Sequence, residues 1–119
     1  MSLTTYTRIM TVDRKPVIWV HGQLKSPPMS SAARVEAGYL LGLVQEGVSL
    51  GMPLSRPMPQ IGPRCHELRV RDDGTNWRII YRVDEQAILV VDIFKKKSGT
   101  TPKHVIATCK RRLRAYDPK

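Results

Sequence analysis

Apolar residues along this chain recur with two different periods, and each change of period marks an element. Residues 17–21, Val-Ile-Trp-Val-His, form a β-branched and aromatic run after Pro16, the pattern of a strand buried on both faces. Ser26, Pro27 and Pro28 then predict a turn. From Ser30 or Ser31, the residues Ala32, Ala33, Val35, Ala37, Leu40, Leu41, Leu43 and Val44 stand mostly three or four apart, broken by Arg34, Glu36, Gln45 and Glu46. This is an amphipathic helix opened by a serine N-cap and closed at Gly47. Gly38 and Gly42 weaken its interior by about 1 kcal/mol each relative to alanine. Residues 50–63 hold four prolines and two glycines and read as a long loop with at most a helical turn.

The period then drops to two. Residues 65–71 put His66, Leu68 and Val70 on one side and Cys65, Glu67, Arg69 and Arg71 on the other. Asp72-Asp73-Gly74 is a hairpin turn signal. Residues 77–83 alternate again, with Trp77, Ile79, Tyr81 and Val83 opposite Arg78, Ile80 and Arg82. A tight connection at residues 84–86 leads to residues 87–94, an almost continuous apolar run typical of a central strand. Thr100-Thr101-Pro102 reads as an N-cap followed by proline at the first helical position. The helix it opens carries Val105, Ile106, Cys109, Leu113 and Tyr116 on one stripe, and Lys103, Lys110, Arg111, Arg112 and Arg114 elsewhere. The expected architecture is one α+β domain over residues 1–119: a small, mostly antiparallel sheet with helices packed on one face.

Charge changes this picture more than composition does. Of 119 residues, 41% are hydrophobic and 25% charged, which is ordinary for a globular domain. Twenty Lys and Arg against ten Asp and Glu give a formal net charge of +10, so the chain seeks a polyanion. Fourteen of the basic residues lie in residues 64–119, which places the binding chemistry in the second half. No apolar stretch approaches the roughly 20 residues that span a bilayer, and residues 1–6 lack the basic start and apolar run of a secretion signal, so a cytoplasmic protein is expected. Cys65 and Cys109 read as ordinary thiols. Cys65-His66 and the spacing from His104 to Cys109 match no usual paired-ligand pattern, so neither metal nor cofactor is expected.

With one sheet face covered by helices, alternation leaves Arg69, Arg71, Arg78 and Arg82 on the other, backed by Lys95, Lys96 and Lys97 as a cationic platform. The bland alternative is a solvated sheet face, but such a surface intersperses signs, and here the excess is two to one. Arginine is also the better phosphate ligand, because its planar fork reaches two oxygens at once. His66, with an ordinary pKa near 6.5, is competent in proton transfer at neutral pH, although alternation sets it beside Leu68 and Val70 as a core or edge histidine. Glu67 is either a base or an ion-pair partner of Arg69. Tyr81 reads as core, with a hydroxyl that reaches the open face as the alternative. The three lysines after Phe94 stand beside a helix N-terminus, a place where an anion is held.

The tract Glu67-Leu68-Arg69-Val70, then Trp77 to Val83, then Phe94-Lys95-Lys96-Lys97 and Thr101-Pro102, ending in the basic helix with Arg111 and Leu113, resembles the phage-derived, HigB-like branch of the RelE/ParE toxin superfamily. The resemblance implies a RelE-like fold and the toxin of a type II toxin-antitoxin module. It further implies a metal-independent endoribonuclease that cleaves mRNA on the ribosome and is silenced by a cognate antitoxin, commonly a helix-turn-helix protein. Arg69 and Arg78 would face the developing phosphorane charge, Lys95 or Lys96 would anchor a phosphate, and His66 or Glu67 would take the proton. Arg71, Arg82, Lys96, Lys97 and Tyr81 would contact RNA. ParE-like relatives poison DNA gyrase instead, so a gyrase-directed or otherwise non-catalytic nucleic-acid binder is the alternative.

Overall fold

The computed structural model describes residues 14–21, 28–97 and 99–118. The reading of residues 1–6 and the turn residues Ser26 and Pro27 fall outside the described residues. In chain order the elements are β1 (Val17–Trp19), α1 (Ser31–Gln45), β2 (Ser55–Pro57), β3 (Cys65–Asp72), β4 (Thr75–Val83), β5 (Ile88–Lys95) and α2 (Lys103–Tyr116). The five strands form one sheet in the order β1-β5-β4-β3-β2. Three pairings are antiparallel and β1 joins β5 in parallel, so the α+β sheet is mixed.

Local chemistry accounts for the elements. The Ser30 side chain accepts a hydrogen bond from the Ala33 amide and opens α1. At its end Gly47 takes φ +94°, the Val48 amide donates to the Leu43 carbonyl and the Gly47 amide to the Val44 carbonyl. That is a glycine-closed helix terminus of the expected kind. Asp73 and Gly74, both at positive φ, make the two-residue β3–β4 turn.

Three expectations give way. β1 is a half-buried edge strand, because a three-residue strand with one neighbour has only one side to pair. The proline-rich segment contributes β2, which pairs with β3 at the opposite edge, where Pro57 is tolerated. The helices do not share a face. Ala33, Ala37, Leu40, Leu41 and Val44 of α1 pack with Leu68, Val70, Trp77, Ile79, Tyr81, Ile88 and Val90. Val105, Cys109 and Leu113 of α2 pack with Cys65, Ile80, Leu89 and Val91. Both alternating sets of β4 and β5 are apolar at their centres, and each needs its own cover.

α2 covers only part of its face. Its C-terminal end is pinned by Arg82, whose guanidinium bonds Asp84 on one side (2.7 and 2.9 Å) and Asp117 on the other (2.6 and 3.0 Å). Midway, a β-bulge leaves Val91 outside the ladder between the pairs Ile80–Asp92 and Tyr81–Val90. Arg112 donates to the Val91 carbonyl at 2.8 Å and lies 3.2 Å from the Asp92 carboxylate. At the N-terminal end Thr101 reaches Glu67. Toward the hairpin, Arg71 of β3 and Asn76 of β4 are exposed on this face.

Candidate anion-binding interface

The uncovered rows are built by register. Arg56 stands opposite Glu67 across β2 and β3, Arg69 opposite Arg78 across β3 and β4, and Arg71 opposite Asn76 nearest the hairpin. Like charges directly opposite one another weaken a strand pair, so the Arg69–Arg78 placement works against stability. Arg71 and Asn76 are exposed, Arg56 and Arg69 are partly buried, and the Arg78 side chain is only 12% exposed.

Glu67 organises the cluster from beneath. Its side chain is fully buried. It accepts from Thr101 Oγ1 at 2.5 Å and from Lys96 Nζ at 3.1 Å. Arg56 Nη2 and Arg78 Nε each lie 3.5 Å from its Oε1. One carboxylate therefore faces three cations and a hydroxyl, and the surplus is positive. Burial pushes the Arg78 guanidinium below its ordinary range; Glu67 opposes that push, and Arg69 and Arg56 add to it.

The donors are not all satisfied. The Nε atoms of Arg56, Arg69 and Arg78 are buried without a hydrogen-bond partner. The Arg69 side chain makes no hydrogen bond or ion pair with any described residue. Buried N–H groups are nearly always paired, so three Nε atoms without a hydrogen bond in one cluster are unusual. A phosphate is suited to it, since two guanidinium forks can each take two of its oxygens.

The other expected site residues disperse. His66 is on the α1 side of the sheet, stacked on Tyr81 with ring centroids 5.2 Å apart, and burial pushes its pKa below the ordinary value. Tyr81 is buried and its hydroxyl is 2.7 Å from Ser55 Oγ, so it presents nothing to the open face. Lys95 also lies on the α1 side, with its ammonium 5.4 Å from the centre of the Trp77 ring. The strand parity that puts Lys95 opposite Trp77 sets it across the sheet from Arg78. Lys96 is folded inward onto Glu67 and is buried. Arg82 is buried and held by two aspartates. Of the expected platform, Arg69, Arg71 and Arg78 share the open rows, and Lys97 is exposed after β5.

Two residues were not expected at this site. Arg56 was hidden in a segment whose prolines mask a three-residue strand, and only the register of β2 brings it to Glu67. Thr101 was expected as a helix cap, but its hydroxyl goes to Glu67, and α2 begins after Pro102 without a side-chain cap. Cys65 and Cys109 are buried free thiols, and burial pushes the Cys109 thiol up to about 12. No described helix is long and apolar enough to cross a membrane.

The chain is a small α+β fold that carries an arginine cluster on one side of a five-stranded mixed sheet. Residues 27–114 match the family model Phage derived protein Gp49-like (DUF891), and the chain belongs to this phage-derived family, which is associated with toxins of the RelE/HigB type. No curated protein and no solved structure matches the chain.

Proposed function

We propose that this protein is the toxin of a type II toxin-antitoxin module, in the manner of the HigB-like branch, and that it is a metal-independent endoribonuclease cleaving mRNA on the ribosome. A cytoplasmic site of action and a cognate helix-turn-helix antitoxin belong to the same reading. The observation that carries it is the Arg69–Arg78 pair, two like charges set face to face whose Nε atoms are buried without a hydrogen bond. An arrangement that weakens the sheet is explained by a ligand that neutralises it, and a ribose-phosphate strand supplies the charge.

In the reaction, the ribose 2′-hydroxyl attacks the adjacent phosphate in line. A P–O bond forms to the 2′-oxygen and the bond to the 5′-oxygen breaks, leaving a cyclic phosphate. Arg69 and Arg78 meet the charge that develops on the phosphorane oxygens, and Arg56 supports them from the neighbouring strand. Glu67 does not take the 2′-hydroxyl proton here. It is buried beneath the cluster and already accepts from Thr101 and Lys96. It holds the guanidinium groups in position, the 2′-hydroxyl proton passes to water, and water gives a proton to the departing 5′-oxygen.

That engagement of Glu67 also favours a second reading, a toxin that grips nucleic acid or gyrase without cutting RNA. Primer extension on translated messages after induction separates the two. New 5′ ends that vanish in the double variant Arg69→Ala, Arg78→Ala support the nuclease. Growth arrest with intact transcripts and accumulating DNA breaks overturns it in favour of the second reading.

A further inference from the structure

We propose that the outer side of α2 is a second phosphate-backbone surface, separate from the arginine cluster, which grips RNA at a distance from the Arg69–Arg78 pair. This rests on the reading of the protein as an RNA-directed toxin, and it assigns to a particular helix a contact that the arginine cluster does not make.

Lys103, Lys110 and Arg114 fall on one line of α2, seven and four residues apart, with Arg111 beside them. All four are exposed, and none of their side chains has a hydrogen bond or ion pair with a described residue. From Lys103 to Arg114 the line runs about 16 Å at 1.5 Å per residue. At its far end Lys110 and Arg114 border a cleft of about 430 Å³, with Arg64 and Arg82 on the opposite wall. Asp117 is the acidic residue there, and its carboxylate is taken up by Arg82. The unneutralised charge of the cleft therefore belongs to Lys110 and Arg114, with Arg64 only loosely held at 3.5 Å from Asp84.

A lipid surface does not fit this helix. Its apolar stripe of Val105, Cys109 and Leu113 is buried against the sheet, and the exposed Tyr116 at its end is too little apolar surface to enter a bilayer. An acidic protein fits less well than RNA. Between the cations stand only Ala107 and the other small or polar residues, whereas protein interfaces are anchored by large apolar and aromatic side chains. Continuity favours RNA as well. Lys103 follows Thr101 by two residues, and Thr101 lies 3.4 Å from Arg56, so the line of cations starts where the arginine cluster ends.

The test measures binding of the full chain to a labelled 30-nucleotide single-stranded RNA and to a 30-residue polyglutamate, across a salt series. It compares the wild type, the triple variant Lys103→Gln, Lys110→Gln, Arg114→Gln, and the pair Arg69→Ala, Arg78→Ala. The triple variant changes only exposed side chains, and its circular dichroism and melting point report its folding. We expect it to bind the RNA about tenfold or more weakly at 0.1 M salt. Its log-log salt slope should be smaller by about two, the value for three lost single-strand phosphate contacts. An unchanged affinity and slope in a folded triple variant, with the arginine pair variant weakened, overturns the inference and leaves the RNA reading standing. The reverse pattern keeps the α2 surface and overturns the role of the arginine pair. Polyglutamate bound as tightly as RNA through the same three side chains overturns the assignment to nucleic acid, and a wild type that binds no RNA overturns both.

Discussion

Arg69 and Arg78 stand directly opposite each other on β3 and β4, on the side of the sheet where the carboxylate of Glu67 is the near counter-charge. A folded chain keeps such a pair against its own stability, because cross-strand like charges repel. Arg69→Ala should therefore leave the melting point unchanged or raise stability by up to about 1 kcal/mol. The same variant should lose RNA affinity and growth arrest. A variant that is both less stable and still toxic contradicts the assignment of this pair to an external anion.

Glu67 is the opposite case, a candidate base in the sequence that the fold buries and bonds to Thr101 and Lys96. Removing one buried partner leaves Arg56, Arg78 and Lys96 uncompensated, and losses of that kind run to about 3–5 kcal/mol. Glu67→Gln should lower the urea midpoint of unfolding substantially, with a smaller loss than Glu67→Ala, since the amide oxygen still accepts from Thr101. A stable but inactive Glu67→Gln protein would instead identify a general base.

Lys95 and Lys96 are neighbours in sequence with opposed roles. Lys95→Ala removes an ammonium from above the Trp77 ring and should cost about 0.5–1 kcal/mol while growth arrest persists. Lys96→Ala takes a hydrogen bond from buried Glu67 and should destabilise the fold more. Side-by-side induction assays and thermal melts of the two variants decide the matter.

Acid should lower the stability of the fold over two separate pH windows. Burial holds the His66 pKa below its unfolded value, so the folded state binds fewer protons there. The contribution is complete above about pH 6.5 and is lost as pH falls from that value through the folded pKa. The hydrogen bond from Arg82 holds the Asp117 carboxyl low, and the bond from the Ser30 residue does the same for Asp72. Their contributions are complete above about pH 4 and are lost at more acid pH. His66→Phe should flatten the upper limb of a stability-against-pH curve and keep growth arrest, because His66 lies on the α1 side. Asp117→Asn should flatten the lower limb.

Much of the architecture was legible along the chain, because its signals are local. The serine cap and closing glycine of α1, the Asp73-Gly74 turn and the alternation of β3 and β4 each depend on residues within a few positions of one another. β2 was not legible, since three residues with a proline carry no period, and with it went the place of Arg56. The lysines after Phe94 form one basic run in sequence, yet the period of two sends Lys95 to one face and Lys96, just past the strand, to Glu67 on the other. The continuous apolar character of β5 did hold the clue that both faces are covered.

Sequence alone determined the kinds of element, their approximate limits and the sign of the charge, because periodicity, capping and net charge are properties of a linear string. Which cations meet was decided only in three dimensions. Register joined Arg56 and Arg78 around a glutamate, α2 shielded Arg82, and the sheet itself separated His66, Tyr81 and Lys95 from the arginines. A strand pairing or a helix crossing brings together residues tens of positions apart, and no local preference encodes which of them will touch.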